Sequence, residues 1–310
     1  MALRIAVMGT GGVGGYFGAR LALGGCDVTF IARGAQLAAL RRRGLRVSSA
    51  GGDMHVEHVT ATDDPRAVGP VDVVLFGVKL WDTEDAARLI VPMLGADTAV
   101  VSLQNGVSKD EVLRRLLGDK AVIGGVAYIA ATIAEPGVIR HTGAMQRLVF
   151  GERDGAASAR TAALLAACQR AGITAEISAD IRRAIWEKFV FLVGMSGTTS
   201  ATRMPIGAIR AHPQTRALLR DAMREVVAVG RSEGVPLTED FVDDRLVFCD
   251  TLPAEMTSSM HQDLERGNRL EVEWLSGDVV RRGAATGVAT PVNRVLHDVV
   301  VLHADGRPSG

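Results

Sequence analysis

The sequence is poor in cysteine and has no excess of either charge. Only three cysteines occur among 310 residues, Cys26, Cys168 and Cys249. Their number and spacing exclude a disulfide framework and match no common metal site. Lys plus Arg and Asp plus Glu number 35 each, so the charge does not indicate a nucleic-acid or anionic membrane partner. We therefore expect reduced thiols, no metal and no nucleic acid.

Long apolar runs are also missing from the sequence. No stretch is long enough to span a bilayer, so we expect no membrane segment. The chain starts directly with a strand-like segment and shows no basic region followed by a cleavable apolar one, so we expect no signal peptide. With 47% hydrophobic and 23% charged residues, the composition is that of a globular protein, which we expect in the cytoplasm.

The first thirty-odd residues predict a strand, a glycine-rich turn, a helix and a second strand. An apolar run ending at Met8 is followed at once by the pattern G-x-G-x-x-G. In such a turn the first glycine permits the tight bend, the second lets a pyrophosphate approach, and the third lets the helix pack on the strand. The amides at the helix N-terminus favour an anion. We predict a dinucleotide-binding turn formed by Gly9, Thr10, Gly11, Gly12, Val13 and Gly14.

The end of the second strand indicates which dinucleotide is bound. NAD-preferring sites usually have an acid there, bonded to the ribose 2′-hydroxyl. This chain has Arg33 and no acid, and a guanidinium at that place suits a 2′-phosphate. We predict NADPH/NADP+ as the cofactor. The alternative is that Arg33 is only a solvated loop cation.

Strand and helix patterns alternate up to about residue 178 and only helical patterns follow. The first pattern predicts an α/β fold with a Rossmann-type doubly wound sheet over residues 1–178. Its predicted elements include a helix over 109–117 and strands over 138–141, 148–150 and 174–177. The second predicts an all-helical domain over residues 179–310, with helices that include 181–193, 213–234, 270–282 and 291–302.

Two residues of the helical part are candidates for chemistry. Lys188 lies in a segment that is apolar on most sides, and burial lowers the pKa of an ammonium and suits it to proton transfer. The alternative is a lysine that reaches the surface or pairs with an acid. Glu271 precedes apolar residues, with Glu273 competing for the same role, and Ser258 and Ser259 have the position of helix caps.

Together these features resemble the ketopantoate reductase family over nearly the whole chain. In the first domain the resemblance rests on the glycine turn, on Arg33, on Val78-Lys79 and on Asn105-Gly106. In the second it rests on the segments Ile185-Trp186-Glu187-Lys188, Ser258-Ser259-Met260 and Gln262-Asp263, and on Glu271 beyond them.

The resemblance implies NADPH-dependent reduction of 2-dehydropantoate to pantoate, on the route to pantothenate and coenzyme A. It implies that Lys79, Asn105 and Ala130 line the cofactor and that Lys188 protonates the carbonyl oxygen. Glu271 would lie beside Lys188 and the nicotinamide ribose. Asn105, Lys188, Ser196 and Ser259 would contact the 2-oxo acid. The resemblance allows a monomer or a homodimer.

The chain departs from the family pattern where pantoate-forming members usually carry asparagines. Leu192 and Ser196 stand one and two helical turns after Lys188, and Ile206 stands at a third such position. An apolar wall discriminates weakly between substrates, whereas a hydrogen-bonding one discriminates strongly. Two alternatives therefore stay open: a hydroxy acid dehydrogenase for a more apolar 2-oxo acid, and a non-catalytic NADP-sensing protein.

Overall fold

The computed structural model describes residues 2–307 and divides the chain into two compact units. One takes in the chain up to Asn105 together with Lys109–Ala184. The other takes in Gly106–Ser108 and the chain from Ile185 onward. Each unit is described below by itself.

The first unit is built on a sheet of ten strands. The strands are β1 (Arg4–Met8), β2 (Asp27–Ile31), β3 (Leu45–Ser49), β4 (Met54–Val56), β5 (Thr60–Thr62), β6 (Val71–Phe76), β7 (Leu94–Ser102), β8 (Val122–Glu135), β9 (Val138–Gly151) and β10 (Thr174–Ile177).

Strand order explains where a ligand can bind. The order is β4-β3-β9-β8-β7-β6-β1-β2-β5, with β10 paired to β9. Strands β5, β2, β1, β6, β7 and β8 pair in parallel, whereas β8 and β9 form a long antiparallel hairpin. In open α/β sheets, ligands bind beyond the carboxyl ends of the parallel strands.

Both faces of the parallel strands are covered. In β1, Ile5 and Val7 belong to one apolar cluster, while Ala6 and Met8 belong to another. Alternate residues of a strand point to opposite faces, so these clusters lie on the two sides of the sheet. Five helices belong to this unit: α1 (Gly12–Leu23), α2 (Gly34–Arg43), α3 (Thr83–Ile90), α4 (Lys109–Leu117) and α5 (Ala159–Arg170).

The second unit is helical. Its first helix, α6, begins before the boundary between the units and continues through it. The helices are α6 (Ile181–Thr202), α7 (Ile206–Ala211), α8 (Pro213–Ser232), α9 (Phe241–Thr251), α10 (Ser259–Arg266), α11 (Ser276–Thr286) and α12 (Pro291–Val300). Within residues 2–307, no helix combines the length and the apolar character that a bilayer crossing requires.

The predicted fold class is confirmed, with three local differences. Two short strands predicted near 138–141 and 148–150 are parts of one strand, β9, because both pair with β8. Helix α6 continues nine residues beyond the predicted end at Val193, because Thr198, Thr199 and Thr202 each bond a carbonyl one turn earlier and stay helical. The helix predicted from residue 270 begins only at Ser276.

The three cysteines are buried thiols, as predicted. Burial raises the pKa of Cys168 to about 12 and that of Cys249 to about 11. Thiols with such high pKa values are almost wholly protonated at neutral pH and are therefore poor nucleophiles.

Candidate functional site

The glycine turn follows β1 and is packed against the end of β6. Gly9 has a φ of +98°, which L side chains rarely adopt. A Cβ on Gly9 would also lie 2.8 Å from the backbone nitrogen of Val78. Only glycine therefore fits at this position, as the sequence predicted for a tight turn.

Thr10 is held inward by its backbone and its side chain. Its backbone N–H and its Oγ1 both donate to the Ile31 carbonyl, at 3.1 and 3.0 Å. Gly11, the next residue, has no heavy atom within 4 Å of the place where a Cβ would be. The turn is thus anchored on one side and leaves space on the other. The first amides of α1, which follows, have no acceptor within their own helix.

Gly12 has a role that the sequence did not predict. A Cβ on this residue would collide with the carbonyl of Ala131 in β8. The apolar segment from Tyr16 to Leu23 predicts a helix, but α1 begins four residues earlier, at Gly12. Ala130, predicted to line the cofactor, is exposed at an irregularity in the pairing of β8 with β9. The structure therefore brings Ala130 and the glycine turn to the same region.

Arg33 is exposed at the N-terminus of α2, directly after β2. No ion pair of Arg33 is found among residues 2–307, whereas Arg41 in the same helix lies 3.9 Å from Asp63. Lys79 is exposed just beyond β6, with its Nζ 5.5 Å from the ring centroid of Trp81. The two cations thus lie at the carboxyl ends of parallel strands, where a phosphate-bearing ligand would bind.

Gln104 links the loops that follow β6 and β7. Its Nε2 donates to the Val78 carbonyl at 3.0 Å and to Thr83 Oγ1 at 2.8 Å. Its Oε1 accepts from Ser102 Oγ at 3.0 Å. In the sequence, Gln104 lies between two of the predicted cofactor residues, Lys79 and the half-buried Asn105. The sequence does not predict this set of bonds.

Lys109 extends the same network to β8. Its ammonium, only 2% exposed, donates to the carbonyls of Ser102 and Gly125, at 3.0 and 2.8 Å. It also lies 3.2 Å from Asp110 Oδ1. Burial lowers the pKa of this ammonium, and the Asp110 carboxylate opposes that shift. Sequence analysis missed Lys109, since a lysine at the start of an amphipathic helix usually faces water.

Between Ala184 and Ser200, helix α6 is buried except along one stripe; Arg182 and Arg183 before this stretch are exposed, and Ala201 and Thr202 after it are half-buried. The half-buried positions of this stripe are Ala184, Glu187, Lys188, Phe191 and Leu192. They follow each other at the three- and four-residue spacing of one helix face. Lys188 is thus neither fully buried nor on an open surface, and Leu192 lies beside it one turn further on.

Ser196 lies on the same side of α6 but is fully buried. Its Oγ has no hydrogen-bond partner among residues 2–307, and neither does Ser200 Oγ one turn later. Ile206, at the third departure from the family pattern, is also fully buried. Of the three departures, only Leu192 is partly open to solvent.

The two candidate serines have different environments. Ser258 is buried, caps α10 by accepting from the His261 N–H, and lies 3.0 Å from Thr199 Oγ1. Ser259 is the first residue of α10 and is exposed. The interpretation as a cap therefore applies to Ser258, and Ser259 is the one that can reach a ligand.

The two candidate glutamates differ as well. Glu273 lies 3.3 Å from Arg281 and 3.1 Å from His297 Nε2, so its carboxylate has partners within its own unit. Glu271 is half-buried and directly precedes a short 3₁₀ turn over Val272–Trp274. Among residues 2–307, no group of three or more His, Cys, Asp or Glu side chains has the arrangement of a metal site.

A largely parallel sheet with a glycine turn after its first strand defines a Rossmann-type domain, here followed by a helical one. Two family models match the chain. The model described as ketopantoate reductase PanE/ApbA matches residues 5–155, and the model of its C-terminal part matches residues 180–303. The chain belongs to the ketopantoate reductase family, and its class is that of oxidoreductases.

Relatives match along nearly their full lengths. A 2-dehydropantoate 2-reductase of Halobacterium salinarum is 35% identical, over 97% of this chain and 98% of that protein. The crystal structure of a PanE/ApbA family ketopantoate reductase from Ralstonia eutropha has a TM-score of 0.89 at 38% identity, covering 97% and 98% of the two chains. A 2-dehydropantoate 2-reductase from Geobacter metallireducens has a TM-score of 0.90 at 34% identity, covering 97% and 99%.

Proposed function

We propose that this protein reduces a small 2-oxo acid with NADPH, and that 2-dehydropantoate is its leading substrate. The observation that carries the proposal is the anchored glycine turn with Arg33 at the end of the next strand, in a chain of this family. The product, pantoate, would enter pantothenate and coenzyme A synthesis in the cytoplasm.

The residues of the first unit fit a dinucleotide. Gly11 leaves open space at the turn, and the amides of α1 suit a pyrophosphate. Arg33 would hold the 2′-phosphate, while Lys79, Asn105 and Ala130 would line the rest of the cofactor. Reduced nicotinamide, when bound, supplies a hydride to the carbonyl carbon.

The residues of the second unit would act on the substrate. We propose that the Lys188 ammonium donates the proton that the carbonyl oxygen needs as its negative charge develops. Glu271 would orient that ammonium and contact the nicotinamide ribose. Ser259 and Ser196 would bind the substrate itself, with the exposed hydroxyl of Ser259 directed at its carboxylate. Asn105, which belongs to the first unit, would contact the substrate as well as the cofactor.

Leu192 favours a second candidate function. It lies one turn from Lys188 on the half-buried stripe of α6, where an amide would bond a hydroxyl. A leucine there favours a 2-oxo acid with an apolar side chain over one with a hydroxymethyl group. This second candidate is a hydroxy acid dehydrogenase with the same cofactor.

A substrate panel tests these two functions. NADPH oxidation is followed with 2-dehydropantoate, pyruvate, 2-oxoisovalerate and phenylpyruvate. The largest kcat/KM for 2-dehydropantoate supports the first proposal, and a clear preference for an apolar acid supports the second. Binding of NADPH without turnover of any acid overturns both in favour of a sensing protein.

The variant Arg33→Asp tests the choice of cofactor. It should raise the KM for NADPH about tenfold or more, since a charge-assisted bond to the 2′-phosphate is lost.

The variant Lys188→Ala tests the role of the ammonium. Loss of a positioned proton donor should lower kcat about 10²–10⁴-fold, while the Kd of NADPH stays within twofold. Lys120→Ala, which removes an exposed lysine from the middle of a 3₁₀ turn, is the control and should leave kcat unchanged. Retention of most of kcat by Lys188→Ala would remove Lys188 from the chemistry.

A further inference from the structure

Gln36 joins three separate segments of the first unit. It lies in the first turn of α2, three residues after Arg33, and is half-buried. Its Nε2 donates to the Thr10 carbonyl at 3.1 Å. Its Oε1 accepts from the Gly137 N–H at 2.9 Å, in the turn between β8 and β9. One partner is an acceptor and the other a donor, so only one orientation of the amide satisfies both.

The bond to Thr10 sets the direction of the next amide. The Thr10 carbonyl and the Gly11 N–H belong to one planar trans peptide, in which the two groups point in opposite directions. While Gln36 holds the carbonyl, the Gly11 N–H must point away from α2. The other polar groups of Thr10 are already held by Ile31, so the residue has little freedom to rotate this peptide.

We propose that Gln36 is a positioning residue for the dinucleotide: it orients the Gly11 N–H toward the pyrophosphate. The inference rests on the proposed function, since it requires a dinucleotide at the glycine turn. It adds a residue outside the glycine turn itself. It also separates two roles of α2, because Arg33 would recognise the 2′-phosphate whereas Gln36 would act on the pyrophosphate.

The test compares a whole cofactor with a fragment that lacks the pyrophosphate. Kd values are measured by titration calorimetry for NADPH and for adenosine 2′-monophosphate, on the native protein and on Gln36→Met. The methionine keeps the length of the side chain but neither hydrogen bond. The expected result is a Kd for NADPH about tenfold higher, equivalent to about 1.4 kcal/mol, with the Kd of the fragment unchanged within twofold.

Gln36→Glu separates the two ends of the amide. Its carboxylate can still accept from the Gly137 N–H, but it cannot donate to the Thr10 carbonyl. This variant should weaken the binding of NADPH at least as much as Gln36→Met does, and it provides the test if the methionine variant does not fold.

Gln146→Met is the matched control, because Gln146 is half-buried and donates to the Gly172 carbonyl in the same unit. It should change neither Kd.

Two results would overturn the inference alone. One is native-like binding of NADPH by Gln36→Met and Gln36→Glu. The other is an equal loss for NADPH and the fragment, which would mean that Gln36 only places α2 and Arg33. If the native protein binds NADH instead, NADH and AMP are the probes and the same outcomes apply. If it binds neither dinucleotide, the proposed function fails, and this inference with it.

Discussion

Two regions differ in whether their buried serine hydroxyls have hydrogen-bond partners: the strand ends of the first unit and helix α6 of the second. Ser102, the fully buried last residue of β7, donates to Gln104 Oε1 and accepts from the Gln104 N–H. Ser200 on α6 is 2% exposed, and its hydroxyl has no partner among residues 2–307. The three threonines of α6 do bond backbone carbonyls, so the helix itself does not prevent such bonds.

The difference indicates how readily each region can accept amino-acid substitutions. A satisfied network resists substitution, because loss of one member leaves others buried without a partner. The network from Gln104 to Lys109 therefore fixes the loops on which a shared cofactor would depend. Helix α6 has buried hydroxyls without a hydrogen-bond partner among residues 2–307 and carries Leu192 on its half-buried stripe. Under the proposed function, substrate preference could change there at little cost to the fold.

The largest expected effect on stability comes from breaking the network at Lys109. Lys109→Met removes all three donors of the ammonium and leaves the Ser102 and Gly125 carbonyls and the Asp110 carboxylate without it. Breaking a buried charge pair in this way should lower the free energy of unfolding by about 3 kcal/mol. Urea denaturation followed by circular dichroism measures the change.

The control for Lys109 is a lysine outside the network. Lys120→Met, on an exposed 3₁₀ turn, should change the unfolding free energy by no more than about 0.5 kcal/mol. If Lys109→Met were equally mild, water would be replacing the ammonium, and the contrast between the two regions would disappear.

A matched pair of serines gives the next largest effect. Ser102→Ala should cost about 1–2 kcal/mol, because two groups of Gln104 lose a buried partner. Ser200→Ala makes the same chemical change at a site with similar burial and no partner to lose. It should leave stability unchanged or raise it by up to about 1 kcal/mol. Thermal unfolding of both variants at one pH tests the pair, and similar losses in both would contradict the comparison.

The smallest expected effects come from one ion pair in each unit. In the first unit, Arg160 donates to both oxygens of Glu152 at 2.7 Å and holds the pKa of that carboxyl below its ordinary value. In the second, Arg216 does the same for Asp250, at 2.6 and 2.8 Å, and lowers its pKa. The Glu152 side chain is 14% exposed and that of Asp250 is 47% exposed.

Both pKa values are lowered by folding, so each pair stabilises the protein above the unfolded pKa, about 4. This contribution is lost as the pH falls through the folded pKa. Glu152→Gln should lower stability by about 1 kcal/mol at pH 7 and should cost progressively less below about pH 4. Asp250→Asn should have a smaller effect on stability, because water screens the more exposed ion pair between Asp250 and Arg216. Equal losses, or a loss that grows in acid, would contradict this.

Local patterns were enough to predict part of the fold. Helix α4 and strand β10 have the bounds that their apolar spacing indicated, since neighbouring residues along the chain determine their form. The glycine turn was also predictable, because a tight bend restricts the residue type at Gly9. The family, too, could be identified from dispersed motifs.

Features that depend on distant partners were not predictable. Strand β9 is continuous only because β8 lies beside it. The burial of Lys109 depends on Gly125, sixteen residues away, and Gln36 meets Gly137 across a hundred residues. The candidate site residues of α6, Lys188 and Ser196, could be placed on one helix face from their spacing alone. The half-buried stripe that includes Lys188 could not be predicted, because it depends on what packs around the helix.

The contact of Gly12 with the Ala131 carbonyl has a practical consequence for cofactor engineering. A dinucleotide turn taken from another enzyme and grafted into this chain would need glycine at that position, even where the donor enzyme tolerates alanine. Exchange of the turn together with the matching piece of β8 should succeed more often than exchange of the turn alone. The transferable module is a turn and a strand that lie more than a hundred residues apart in the chain.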